Sequence, residues 1–341
     1  MLIAGVLGLA LSTGVIAYVG FGKIVAAFAG IGWRGLFALA GGFLATSAVL
    51  ALAWWVLHPK PSVKTLPAFF LGRLVRDASG ELLPFSSLGG FVFGARAAIL
   101  GGVEPATAIA TTVVDVTAEF IGQLGFTALG IALLAYRPEA RQEDANFLFR
   151  AGLGLLAACV AAVVFVAFQR RASAMIERAV ARWAPSALAQ TSAVTASLHA
   201  LYERARPLTL SSLIHFLAWV VGGVLVWAGL WVAGVHAYAL RQIVGVEALM
   251  YALRTIGFAA PMGLGVIETG YALVGPLFGV SPEFALALSL IKRARDIVIG
   301  VPALALWQVL EGRSLAAQSR ANVETQVSQE DCPETRRMGP S

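Results

Sequence analysis

The sequence predicts an all-α polytopic integral membrane protein of two inverted repeats, each a span, a re-entrant hairpin and a span, with about six full spans and two hairpins in all. Three observations predict it. The first is composition: of 341 residues, 58% are hydrophobic and only 13% charged. A soluble domain carries roughly 25% charged residues, so a water-soluble enzyme, a nucleic-acid-binding protein and a disordered chain are all excluded. The second is six apolar stretches long enough to cross the ~30 Å hydrocarbon core, which takes about 20 residues. The third is a pair of proline-broken stretches that recur 177 residues apart.

The six spans are roughly 2–20, 33–57, 106–135, 147–170, 209–236 and 284–310. The first has no basic flank and no clear small-residue cleavage site, so it reads as a retained helix rather than a signal peptide. Between the spans lie the broken stretches, about 65–104 and 243–281. Each has an apolar run, a proline (Pro84; Pro261), glycines after it (Gly89 and Gly90; Gly263 and Gly265) and a second apolar run. Proline removes a backbone donor and glycine weakens a helix interior, so a helix should stop there. Broken backbone at membrane depth is tolerated only inside protein or beside a wet cavity. Each stretch therefore reads as a re-entrant hairpin, the alternative being two short full spans. The linker 172–206 reads as a surface helix pair broken at Pro185, with arginines, Ile176, Val180 and Trp183 suited to an anionic headgroup layer. Residues 312–341 are polar, without apolar periodicity, and read as a disordered tail. The resulting division is 1–32, an N-terminal helix and connector; 33–135, the first unit; 136–208, a linking span and basic linker; 209–311, the second unit; and 312–341, the tail.

Shifted by 177, Pro84 falls on Pro261, Pro105 on Pro282, and GGVEPATAIA (101–110) on FGVSPEFALA (278–287). The extra span 147–170 would turn the second unit over relative to the first. Inverted repeats with broken helices are the usual build of secondary transporters, with the site at the repeat interface; a symmetric scaffold has the same pattern. Basic residues in 58–84, 171–206 and the start of the tail place these segments and both termini in the cytoplasm. Lys23 and Arg34, which follow the first span, pull the other way.

Charge at the bilayer centre costs about 2.5–3.5 kcal/mol on the insertion scale, yet many charges fall inside the apolar stretches. Thr111, Asp115, Glu119 and Gln123, four apart, make one stripe on one helix face. Two carboxylates one turn apart repel, so one should hold a proton or meet a cation. Arg73, Arg76, Asp77 and Glu81 precede the first break and Arg96 follows it; Arg254 precedes the second and Glu268 follows it. Lys292, Arg293, Arg295 and Asp296 cluster in the last span. One reading pairs Asp115 and Glu119 with Arg293 or Arg295 to orient the hairpins. The other is a wet groove in which Arg73, Arg76, Arg96, Arg254, Arg293 and Arg295, with Glu268, hold a polar headgroup. In that groove Asp77, Asp115, Glu119 and Asp296 carry protons or balance charge. Ser86 and Ser87 read equally as an anion nest or a helix cap.

Most of the eight tryptophans lie near span ends and read as interfacial anchors. The two cysteines, Cys159 and Cys332, and four scattered histidines build neither a disulfide framework nor a metal site. No catalytic residue, metal, cofactor or nucleic-acid partner is expected.

The runs GRLVRDASGELLPFSSLGGFVFGARA (72–97) and VVDVTAEFIGQ (113–123) resemble the transmembrane region of lysylphosphatidylglycerol synthase, a flippase-like family. PMGLGVIETGY (261–271) and SPEFALALSLIKRARDIVIGVPALALWQ (281–308) look most like the hopanoid-biosynthesis-associated membrane proteins of the HpnL type. The resemblance covers roughly residues 30–311. Met262 stands where the family motif usually has glycine, which sets the chain apart from the core synthase branch. The soluble aminoacyl-transferase domain of the bifunctional members is not expected, since the chain ends about thirty residues after the last span. By position the motif carries onto Arg73, Arg76, Asp77, Pro84, Gly90, Arg96, Asp115, Glu119, Gly265, Glu268, Arg293, Arg295 and Asp296.

The resemblance implies a non-enzymatic lipid flippase or exporter in a bacterial inner membrane. Its substrate would be a hopanoid, aminoacylated phospholipid or prenyl-phosphate lipid, and its partners membrane lipids and, as a further class, lipid-biosynthesis enzymes. The rivals are a non-transporting scaffold for those enzymes and an integral-membrane lipid transferase. The transferase lacks a DxD or histidine cluster in the sequence.

Overall fold

A computed structural model describes residues 20–83, 89–136, 188–256 and 263–330, with Tyr18 and parts of 149–164. Among the described residues every regular element is helical. The order is α1 (Phe21–Trp55), a short 3-10 turn (Val63–Thr65), α2 (Leu66–Leu82), α3 (Gly89–Leu100), α4 (Pro105–Ala135), α5 (Leu188–Glu203), α6 (Ala205–Val232), α7 (Leu240–Ile256), α8 (Val266–Leu277) and α9 (Pro282–Glu330). Three of them, α1, α4 and α6, are long and apolar enough to cross a membrane, with mean hydropathies of 2.1, 1.6 and 2.0. The protein is a membrane protein.

Local chemistry sets the element ends. Gly32 breaks α1 with φ of +59° and ψ of −170°. Residues 21–31 and 33–55 therefore form two helical pieces. Pro105 opens α4, where its missing N–H costs nothing. The Glu104 carboxylate accepts bonds from the Ala106 and Thr107 N–H groups at 2.9 and 2.7 Å. Burial works against the charged form, but the bonds from Thr107 and Ala106 hold this carboxyl below its ordinary value.

Two pairs of shorter helices lie beside these helices. In α2–α3 the helices have 17 and 12 residues, and in α7–α8 again 17 and 12. At 1.5 Å per residue a 12-residue helix is about 18 Å long, short of the hydrocarbon core. Pro84, Ser86, Ser87, Pro261 and Met262, where the hairpins were expected to turn, lie outside the described residues, as do most of the expected spans 2–20 and 147–170. Packing follows a regular pattern. α1 lies along α6; α4 packs on α6 and α7, and α9 packs on α1 and α2.

The structure departs from the sequence expectations in three places. Residues 312–330 continue α9 as helix to Glu330, where a disordered tail was expected. Elongating a helix already nucleated upstream is far easier than starting one, and Ala, Leu, Gln, Glu and Arg are good helix formers. The latter half of the expected surface linker, α5, buries Leu198 and Leu201 against Trp54, Leu57 and Phe69. Its Tyr202 hydroxyl lies 3.0 Å from Thr117 Oγ1, so α5 is a packed helix. Trp54 and Trp219 are buried, not interfacial. Trp54 Nε1 donates to Thr111 Oγ1 at 3.1 Å, which gives an indole a partner in the core. Trp33 and Trp231 are exposed.

Candidate functional site: a charged cavity between the two halves

Two arginines of α2 and two carboxylates of α4 form the first part of the site. Residues three apart share a helix face, so Arg73 and Arg76 project together toward the stripe on α4. Arg73 Nη1 and Nη2 donate to the two oxygens of Glu119 at 3.2 and 2.9 Å, and its Nε donates to Asp77 Oδ2 at 2.9 Å. Arg76 Nη1 donates to Asp115 Oδ2 at 2.6 Å, its Nη2 bonds Glu119, and its guanidinium lies over Phe91, 4.4 Å from the ring centre. Asp115 is fully buried, and His215 Nε2 of α6 lies 2.9 Å from its second oxygen. Forked arginine–carboxylate bonding of this kind is strong and geometrically specific.

The α2–α3 contact holds those arginines in place. A Cβ on Gly94 would sit 2.8 Å from Arg76 Cβ and 2.9 Å from the Gly72 carbonyl. Only glycine lets the two helices approach this closely.

The second part comes from α7, α8 and α9. Arg254 bonds Glu81 of α2, bridging the halves. Arg295 donates to Asp296 Oδ1 at 3.0 and 2.6 Å and lies over Phe43. Lys292 Nζ meets Glu247 Oε2 at 2.5 Å and the Tyr271 hydroxyl at 2.6 Å, while that hydroxyl donates to the other Glu247 oxygen at 2.8 Å. Arg293 Nη2 donates to Glu268 Oε1 at 2.7 Å. Glu268 also accepts from the Gly265 N–H at 2.8 Å and so caps α8. Gly265 has φ of +79°, a backbone state only glycine adopts without strain.

These parts border a cavity of about 310 Å³. Four arginines (Arg73, Arg76, Arg254, Arg295) and four carboxylates (Asp77, Glu81, Glu119, Asp296) line it, with Phe43, Phe91, Trp219 and Tyr251 among the apolar walls. Asp115 lies behind this wall, and Gly90 packs under the Arg76 carbonyl. Gly89 begins α3 and Gly263 lines the cavity. A smaller adjoining cavity of about 80 Å³ is lined by Arg293 together with Arg254, Arg295, Glu81, Asp296 and others. Arg96 lines neither cavity and forks onto Glu311 of α9 at 2.7–3.1 Å.

The expected pairing of Asp115 and Glu119 with Arg293 or Arg295 is replaced by pairing with Arg73 and Arg76. The reason lies in packing: α9 lies on α1, α2 and α8, so its arginines are delivered to the other side of the cavity. Sequence reading missed Glu247, although it is a charge inside an apolar run like those it did select. It set His215 aside as a lone histidine and had no signal for Ser289, Tyr251 or Tyr271.

The family model of the lysylphosphatidylglycerol synthase transmembrane region matches residues 5–303. The chain belongs to that family. No curated protein and no solved structure matches the chain. Membership places it among membrane proteins linked to lipid handling, and both of its charged cavities fall within the matched stretch.

Proposed function

We propose that this family member is a lipid flippase or exporter of a bacterial inner membrane, with both termini cytoplasmic. It would move a lipid of the hopanoid, aminoacylated phospholipid or prenyl-phosphate class, by transport rather than catalysis. The observation that carries this is the 310 Å³ cavity with equal numbers of arginines and carboxylates, set between the two halves of a membrane protein. Such a cavity offers forked donors to an anion and acceptors to a cation, and it is charge-balanced when empty. Movement is passive, or coupled to protons through Asp115 and Glu119.

A two-unit, inverted-repeat reading with re-entrant hairpins supports transport. α3 and α8 begin at Gly89 and Val266, and α4 and α9 at Pro105 and Pro282, each pair 177 residues apart. The hairpins match in helix length, and α4 packs on α6 and α7 as α9 packs on α1 and α2. Helices α3 and α8 are too short to span, which favours hairpins over full spans.

The second reading is a scaffold for lipid-biosynthesis enzymes. It is favoured by the ion pairing of all eight charged residues that line the large cavity, since such pairing also serves folding alone.

The test is mass spectrometry of lipids that co-purify with the detergent-solubilised protein, with the double variant Glu81→Gln/Arg254→Gln as control. Removing both partners leaves no uncompensated charge, so the variant should fold. One lipid class enriched in the native protein and lost in the variant supports the headgroup cavity. Reconstituted vesicles carrying a fluorescent analogue of that lipid should then lose signal to an external quencher faster than empty vesicles. Enrichment of nothing beyond bulk lipid, or no acceleration, favours the scaffold.

A further inference from the structure

We propose that Glu81, Arg254, Arg295 and Asp296 form an ionic gate between the two cavities, which opens when the two arginines exchange carboxylates. The gate rests on the lipid-transport reading and adds a moving part to it.

The wall between the cavities is built from shared residues. Glu81, Arg254, Ile267, Arg295 and Asp296 line both the 310 Å³ cavity and the 80 Å³ one. Two of them are cationic and two anionic, so the wall is neutral as a unit. Glu81 stands in the last turn of α2 and Arg254 in the last turn of α7. Their ion pair closes the wall across the gap between those helix ends. Among the described pairs that line the large cavity it alone joins the two halves. The others lie within α2 and α4 or within α9.

Two features make this wall movable. The first is exposure: the Arg254 and Glu81 side chains are 28% and 31% exposed, against 3–18% in the other pairs lining the large cavity. A partly hydrated pair costs less to break than a buried one. The second is incomplete bonding. Arg254 holds Glu81 through Nη2 and Oε1 alone, and Arg295 places both of its bonds on Asp296 Oδ1. Glu81 Oε2 and Asp296 Oδ2 can therefore receive a new donor. Glu81 also lies within electrostatic reach of Arg295, and Arg254 within reach of Asp296.

In the exchange Arg254 takes Asp296 and Arg295 takes Glu81. Each charge keeps a partner in both arrangements, so opening strands none of them. The direct tie from α2 to α7 is replaced by separate ties from each helix to α9, which frees the gap between the cavities. Two discrete arrangements of one packed interface are the usual basis of a switch.

The experiment uses the full chain. Its two cysteines are first replaced (Cys159→Ser, Cys332→Ser). Spin labels are then placed through Val92→Cys on α3 and Leu273→Cys on α8, where the side chains are 66% and 67% exposed. Distances between the labels are read by pulsed electron resonance. Movement of fluorescent phosphatidylglycerol in reconstituted vesicles is read with an external quencher. The central variant is the reversal Glu81→Arg/Arg254→Glu. It keeps the pair across the gap but sets like charge against Asp296 and Arg295, so the exchange is blocked. Adding Arg295→Glu/Asp296→Arg reverses all four charges and allows the exchange again.

Native protein should show two distances, because both arrangements keep every charge paired. The reversal should show one distance, melt with the native protein, and move lipid at least about tenfold more slowly, since opening would now strand buried charge. The fourfold reversal should restore both readouts. If it does not fold, Arg295→Gln/Asp296→Gln takes its place; this removes the exchange partners, leaves the Glu81–Arg254 pair, and should also give one distance and slow movement. One distance in native protein, or the same two in the reversal, overturns the gate and leaves lipid transport standing. Two distances that become one on reversal, with no lipid movement by native protein, keep the ionic switch and overturn the lipid reading.

Discussion

Asp115 has no contact with water, and it neutralises Arg76 on one oxygen while meeting His215 on the other. Removing one partner of a buried pair leaves an uncompensated charge and typically costs about 3–5 kcal/mol. Asp115→Asn should therefore lower the thermal midpoint of the detergent-purified protein far more than Glu104→Ala, whose lost helix cap costs about 1 kcal/mol. Glu104 also makes a pH-dependent contribution. Its carboxyl is held below the ordinary value in the folded state, so its stabilisation is complete above the unfolded value of about 4.3. It fades as pH falls through the lower folded value. Melting curves of native protein and Glu104→Gln should differ at pH 7 and converge in strong acid; a difference that grows in acid would contradict the capping role.

Between elements, the α2–α3 contact is decided by atoms glycine lacks. In Gly94→Val the added carbons would meet the Gly72 carbonyl and Arg76, and overpacking of a tight contact costs typically 1–3 kcal/mol. The helices would separate and draw Arg76 away from Glu119 and Asp115. Lower thermal stability together with loss of lipid retention is the expected result. If stability falls but retention is kept, the α2–α3 contact is not what positions the cavity. The end of α9 behaves in the opposite way. Residues 313–320 are mostly exposed, so Leu315→Ala, at a side chain 54% exposed, should melt at the same temperature as the native protein.

At the scale of the whole molecule, charge that would be costly in lipid is gathered into one place where the two halves meet. Its cost is offset by ion pairs within α2 and α4, within α7, α8 and α9, and across the halves by Arg254 and Glu81. The outside of the spanning helices stays apolar, with Phe37, Leu213, Leu217 and Val221 exposed. An alkaline carbonate wash of membranes should leave the protein in the pellet, and its release would contradict integral insertion.

Much of the fold was legible in the sequence because membrane burial acts on composition and length. The helical class and the long apolar helices follow from apolar runs, a local property. The family could be read from the motif runs around Arg73 and Asp115. The candidate site was legible as a set of charges in the wrong solvent, but not as a map of partners. Asp115 and Glu119 meet Arg73 and Arg76 because α2, not α9, brings its arginines to α4, and helix neighbourhood is a long-range outcome that no local pattern encodes. For the same reason Trp54 and Trp219 went from expected anchors to core residues, and Arg96 went to Glu311. Composition by itself determined that charges inside a membrane protein must be buried together. The tertiary structure alone decided which charges meet, because hydrogen-bond geometry depends on how helices distant in sequence pack.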